Sequence, residues 1–156
     1  MRPNCGSPTL VNIVVLCVGL FLASRVVAAA QVNADTVLAA INGSRTQNGR
    51  RPLSLDPRLS AAAASKLADM RKRAYFGHVN PDGQYVWALV KQHGCAYRHV
   101  GENLASDYDD RQRLEEAWMR SAAHRNNILD RHYGVAGVAV SGRPPLVVVL
   151  FADSCR

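Results

Sequence analysis

Seven consecutive apolar residues, Leu146 to Ala152 (LVVVLFA), follow a second β-branched run, Tyr133 to Val140 (YGVAGVAV), after a gap of five. A strand so dense in Val and Leu has no polar face to turn to water, so it belongs inside a sheet that is covered on both sides. The gap, Ser141-Gly142-Arg143-Pro144-Pro145, is made of turn formers, which reads as a hairpin joining the two runs. The rest of the chain must therefore supply helices to two faces of one sheet.

Helical signals precede the hairpin. Val37, Leu38, Ala40 and Ile41 recur at helical spacing between Ala34 and Asn48, before Gly49. Asp56 followed by Pro57 reads as an N-cap with a preset first helical residue. From Arg58 to Ala74, Leu59, Ala63, Leu67, Met70 and Ala74 form one apolar stripe, with Lys66, Asp69, Arg71, Lys72 and Arg73 assigned to the wet faces. The alanines from Ala61 to Ala64 suit a helix lying close on a sheet. Beyond Tyr75-Phe76-Gly77, Asn80-Pro81-Asp82-Gly83 has type I turn chemistry, so His78 is held between a helix end and a rigid turn. Tyr85 to His93 reads as a short helix, and Gly94 to Val100 as a loop feeding a short strand with Glu102 directly after it. Asp109 or Asp110 caps a further helix through Ser121 that buries Leu114, Ala117 and Trp118; Ala122 to Leu129 (AAHRNNIL) is helical or turn-like.

Of the 156 residues, the first thirty read as a targeting segment: Arg2, an apolar run from Leu10 to Ala23, then Ala28-Ala29-Ala30 as small residues for cleavage. That run is short of the roughly 20 apolar residues of a spanning helix. Residues 1–30 are thus expected to be a signal peptide, and residues 31–156 one domain without a transmembrane helix; Arg25 would end a tilted anchor were cleavage to fail. Secretion, to an extracellular or periplasmic setting, is the expectation. Removal of the segment takes two arginines and no acid, leaving 17 basic against 12 acidic residues, a net +5. No stripe of arginines interleaved with aromatics accompanies this excess, which argues against nucleic acid as a partner. Cys5 and Cys17 leave with the segment, so Cys95 and Cys155 remain as one pair in an oxidising compartment, where a disulfide is the natural state. A catalytic thiolate beside His93 or His99 is the alternative reading.

Three polar residues sit at structural junctions: His78, Glu102 and His124. Each has an ordinary structural explanation when taken alone. Two imidazoles and one carboxylate together make a three-ligand set that leaves a place for water. Enzyme signatures are missing: the chain has no HExxH, GxSxG, phosphate-binding glycine loop or CxxC. Ser121 and His124 are three apart, but no carboxylate is placed to orient the imidazole.

FGHVNPDG (76–83), GENLA (101–105), AWMRSAAHRNNIL (117–129) and YGVAGVAV (133–140), together with LSLDPRLS (53–60), resemble in this order the bacterial branch of the CAP superfamily, named for cysteine-rich secretory proteins, antigen 5 and pathogenesis-related proteins. The resemblance covers residues 33 to 153. It implies an α+β fold, a three-layer α-β-α sandwich with a small antiparallel sheet between helices. It also implies a cleft lined by two His and two Glu that holds a divalent cation such as zinc. His78, Glu102 and His124 match three of those four positions. Ser121 stands at the fourth, three residues after Trp118, so the implied metal set shrinks to His78, Glu102 and His124, and the implied zinc site is weaker.

The resemblance further implies a secreted monomer that binds a lipid, a sterol-like ligand or a cell-envelope component in the cleft of His78, Glu102, Ser121 and His124. A metal-dependent hydrolase or protease using the same cleft is the competing expectation, and a purely structural cleft the third. Whether the protein is an enzyme stays open at this point.

Overall fold

The computed structural model describes residues 31–156, so the expected signal peptide lies outside the described residues. Along the chain run α1 (Ala34–Gln47), β1 (Ser54–Leu55), α2 (Pro57–Lys72), α3 (Trp87–Gln92), β2 (Val100–Ser106), α4 (Arg111–Arg120), α5 (Ala122–Leu129), β3 (Val135–Ser141) and β4 (Leu146–Ala152). The hairpin forms as its sequence requires, with Ser141 paired to Leu146 and the strands antiparallel. Strand order is β1-β3-β4-β2, which places β4 in the interior and β2 at an edge. β1 is a two-residue strand parallel to β3, an edge element that the sequence pattern does not announce.

β4 decides the layering. Its side chains alternate between two cores: Val147, Val149 and Phe151 join Val37, Ile41, Leu114, Trp118 and Ile128 beneath α1, α4 and α5. Val148, Leu150 and Ala152 join Leu59, Ala63, Leu67, Met70, Val86 and Val90 beneath α2 and α3. All six of these β4 residues are fully buried. At about 1.5–3 kcal/mol for each larger apolar side chain, this one strand is a major share of the driving force on both faces. The result is the three-layer α-β-α sandwich.

Close approach of α2 to the sheet depends on small residues. Ala62 and Ala63 are fully buried, and a Cβ on Gly137 of β3 would run into the Leu59 and Ser60 backbone. Asp56 caps α2 as its position predicts, accepting from the N–H groups of Arg58 at 2.8 Å and Leu59 at 3.3 Å. Asn33 and Thr36 form a reciprocal capping box on α1, and Asp110 caps α4.

Two charged side chains depart from the expected surface placement. Lys66 is buried rather than wet, 2% exposed, between α2 and the loop that follows it. Arg45, 1% exposed, donates to four backbone carbonyls: those of Arg51, Ile128, Asp130 and Tyr133. It fastens α1 to the α5–β3 connection. Glu102 also differs from expectation, since it lies within the seven-residue β2 and not after it.

Cys95 and Cys155 are joined across a separation of 60 residues. The alternative of a free thiolate is thereby removed. Reduction should lower unfolding free energy by up to about 4 kcal/mol on the loop-closure argument, read as a shift in denaturation midpoint with and without reductant. Two titratable thiols in the unreduced, denatured protein would contradict the pairing.

Candidate functional site

The loop after α2 is tied down before it delivers His78. Lys66 Nζ donates to the Tyr75 hydroxyl at 3.2 Å and to the His78 carbonyl at 3.1 Å, while that hydroxyl donates to Asp69 Oδ2 at 2.7 Å. Beyond it, the Asn80 side chain accepts from the N–H groups of Asp82 and Gln84, and Arg73 grips Asp82 with two nitrogens. Val79 then pairs with Tyr85 in an isolated antiparallel bridge. His78 is fixed by backbone on both sides, with its ring half exposed.

Glu102 meets it from the sheet. On paired antiparallel strands, opposite residues point to the same face. Glu102 lies opposite Leu150 and so turns toward the α2–α3 layer, whereas Asn103, opposite Val149, turns toward α4 and α5. His78 Nδ1 and Glu102 Oε2 are 2.6 Å apart, and the Glu102 side chain is 2% exposed against 51% for His78. The other carboxylate oxygen, Oε1, is buried with no hydrogen-bond partner among the described residues. Burial pushes the Glu102 pKa up; the His78 hydrogen bond and the Lys66 charge oppose this without cancelling it. Burial in turn pushes the Lys66 pKa down, against the pull of Glu102 and Asp69.

His124 arrives by another route. Ser121, in extended conformation, ends α4 and opens α5 without a side-chain capping bond, and His124 follows in the first turn of α5. Its carbonyl accepts from Asn103 Nδ2 at 3.2 Å. Asn127 Nδ2 donates both to the Glu102 carbonyl at 3.1 Å and to Asn103 Oδ1 at 2.9 Å. These two asparagines dock α5 on β2. Gly101 makes room for the contact, since a Cβ there would stand 2.5 Å from the Tyr133 hydroxyl and 3.1 Å from Asn127 Oδ1. The His124 ring lies 6.3 Å from that of Trp118, and burial, then the His78 charge, lowers its pKa.

A cleft of about 660 Å³ opens beside the His78–Glu102 pair, walled by Val79, Tyr85, Trp87, Gly101 and Asn127. His124 and Ser121 are not among its wall residues. Of the four expected cleft residues, the structure brings His78 and Glu102 into contact and leaves His124 within electrostatic reach of His78. Among the described residues, no three His, Cys, Asp or Glu side chains are arranged to hold a metal ion. The expected set of His78, Glu102 and His124 therefore does not fit a resident metal as it stands: its first two members are bonded to each other, and the third hangs from the helix layer opposite the one Glu102 faces. Sequence reasoning missed Lys66, Tyr85, Trp87, Asn103 and Asn127. Only Lys66 carried a usable signal, because it falls in phase with Ala62, Ala63 and Met70.

Residues 38–151 match the model of the cysteine-rich secretory protein family, CAP. The chain belongs to that family. This CAP domain is 34% identical over 102 residues to the protein YkwD of Bacillus subtilis strain 168, a match covering 65% of this chain and 40% of that protein. To the membrane protein YlbC of the same organism it is 28% identical over 104 residues, covering 67% and 30%. The chain thus spans well under half the length of these curated relatives. In fold it is similar to an SCP-domain extracellular protein from Bacillus anthracis (TM-score 0.71, 22% identity, 76% of this chain and 39% of that one). It is also similar to an outer surface protein from Borrelia burgdorferi (TM-score 0.70, 16% identity, 81% and 98%). Among the described residues, no helix is long and apolar enough to cross a membrane.

Replacement of Lys66 by Met should leave the Tyr75 hydroxyl and the His78 carbonyl short of a donor and remove the cation facing Glu102. We expect a loss of about 1–3 kcal/mol in chemical denaturation and a higher Glu102 pKa by carboxyl ¹³C NMR. The pH dependence has a sign. His124 has a pKa below its ordinary 6.5, so the stability it contributes is present above that value and is lost as pH falls through the lowered one. Glu102 acts oppositely, losing its contribution as pH rises from 4.5 through its raised value. His124→Gln should therefore flatten the fall in denaturation midpoint below pH 6.5, and an unchanged slope would contradict this assignment.

Proposed function

We propose that this CAP domain is a secreted binding module, and that its cleft at His78 and Glu102 takes a ligand with an apolar body and a polar group that meets the exposed His78 ring. The carrying observation is the cleft of about 660 Å³, where the half-exposed His78 ring, fastened to the buried Glu102 carboxylate, is a polar group on a wall that also carries Val79, Tyr85, Trp87 and Val100. The apolar walls from Val79, Tyr85 and Trp87 supply area for the rest of such a ligand. The reading fits a lipid, a sterol-like molecule or a cell-envelope component. Secretion is supported by the character of residues 1–30 and by fold relatives described as extracellular or outer surface proteins.

Hydrolysis is the weaker reading because the cleft offers neither a nucleophile nor an assembled metal set to generate one. Zinc enters only as a weak guest of His78, Glu102 and His124, since those donors would have to give up their present contacts to converge on it. Calorimetry at pH 7.5 should show zinc binding that is weak, one-to-one and lost in His78→Ala/His124→Ala, and it should weaken further at pH 5, because protons compete with the metal for imidazole nitrogen. An absence of zinc binding in the folded protein retires the cation. The binding reading itself is checked by intrinsic tryptophan emission: a sterol with a free 3-hydroxyl, a lysophospholipid and a neutral oligosaccharide are titrated separately. At least one should saturate on the wild type, with weakening in Glu102→Gln; no response from any of them would sink the cleft as a ligand site.

A further inference from the structure

Away from the cleft, the fold gathers arginines that it does not pair. A recess of about 360 Å³ is lined by Arg45, Gly49, Arg50, Arg51, Arg131 and His132, a size within the range of small-molecule sites. The two halves of this wall are distant in sequence, and Arg45 joins them. Its guanidinium donates to the Arg51 carbonyl on one side and to the Asp130 carbonyl on the other. Each half is also fixed locally. α1 runs out through Gly49 at φ +67°, and the N–H groups of Gly49 and Arg50 return to the Thr46 and Arg45 carbonyls, the pairing of a Schellman turn. Across the recess, the Asp130 side chain accepts from the His132 N–H, which folds 130–132 into an Asx turn.

Charge at this wall is one-sided. Arg50, Arg51 and Arg131 are exposed, and among the described residues none of the three forms an ion pair with a carboxylate. Arg45 is closed to solvent, so it acts on the recess through its charge and not by contact. Burial, then the Arg50 charge, pushes the Arg45 pKa down against the pull of Asp130. Like charges thus already press on one another here. Asp130 is the opposing carboxylate, and it is engaged by His132. Four guanidinium groups against that one carboxylate leave three positive charges in surplus.

The wall also narrows the kind of anion. A guanidinium fork pairs with carboxylate or phosphate. A carboxylate has two oxygens in one plane and a single charge. A phosphate group offers three oxygens pointing apart and about −1.5 to −2 in charge, so arginines from two chain segments can hold it at once. One phosphate falls short of the surplus, and two linked phosphates meet it. No Phe, Tyr or Trp lines the recess, so a nucleobase has no platform. None of the exposed large apolar side chains, Leu55, Phe76, Val79 and Tyr85, lines it either, so it has no edge to sink into a bilayer. We propose that this recess binds a pyrophosphate group, two linked phosphates held by Arg50, Arg51 and Arg131, either free or as the headgroup of a larger molecule. The proposal does not depend on the His78 cleft, and its failure would leave that cleft untouched.

The test is a titration of residues 31–156, the whole described domain, with sodium pyrophosphate at low ionic strength, followed by amide and arginine Nε–H shifts in ¹H–¹⁵N NMR spectra. Saturable shifts are expected at 49–51 and 131–132, with affinity about tenfold above that for orthophosphate. Arg50→Gln/Arg131→Gln should weaken binding by about tenfold or more. Lys72→Gln/Arg113→Gln, which removes the same charge at exposed positions outside the recess, should leave it unchanged. Farnesyl pyrophosphate separates the sources: equal affinity assigns a free anion, and tighter binding assigns a lipid-borne headgroup. Equal losses in the two double variants would reduce the effect to net charge and overturn the site. Orthophosphate binding as tightly as pyrophosphate would overturn the two-phosphate ligand, and an absence of saturable shifts at 49–51 and 131–132 would overturn the proposal outright.

Discussion

β4 is the constraint on which the rest of the molecule hangs. A strand that places Val147, Val149 and Phe151 on one side and Val148, Leu150 and Ala152 on the other leaves no surface for water, so a helical layer is compulsory on each face. Once β4 is central, β2 pairs along its outer side in a register that turns Glu102 toward one layer and Asn103 toward the other. The carboxylate then lies on the side where the α2–α3 connection brings His78. The asparagine lies on the side where α5 can dock. Site geometry is thus a consequence of strand register, and a slip of one residue would exchange the two side chains.

What could be read from sequence was local. The hairpin, the Asp56-Pro57 helix start and the cysteine pair each depend on residues close together or on simple counting, and each is present in the structure. Helix boundaries shift by a residue or two, as end effects always do. What could not be read depends on partners distant in sequence. A two-residue parallel strand such as β1 exists only because β3 offers an edge, and no periodicity fits in two residues. Lys66 was placed on a wet face because of its charge, although its phase along α2 put it on the apolar stripe; its burial needs the Tyr75 hydroxyl and the His78 carbonyl, and neither is visible until the loop folds back. The candidate site divides in the same way. His78 and Glu102 were singled out by residue type and position, and they touch. The third member, His124, belongs to a helix whose docking is decided by Asn103 and Asn127, so sequence could supply its identity but not its direction.

Cost and function meet at Glu102. A buried carboxylate with one bonded and one unmet oxygen is poor design for stability, and the fold compensates with Lys66 behind it and the half-exposed His78 beside it. Neither reaches Oε1. Oε1 is itself closed to solvent, so the deficit is carried within the fold.

The seam between α1 and the α5–β3 connection is built on another principle. Arg45 is buried without a carboxylate bonded to it; four backbone carbonyls hold its guanidinium where α1 meets the α5–β3 connection. Carbonyls do not titrate, and a guanidinium stays charged throughout the biological range. The guanidinium and its four acceptors therefore exchange no proton among themselves, although Asp130 and His132, bonded to each other, lie in the same connection. Four fixed carbonyls around one planar guanidinium also make the joint directional: the fork is satisfied in a single relative placement of α1 and the α5–β3 connection, so the seam sets their angle as well as their distance.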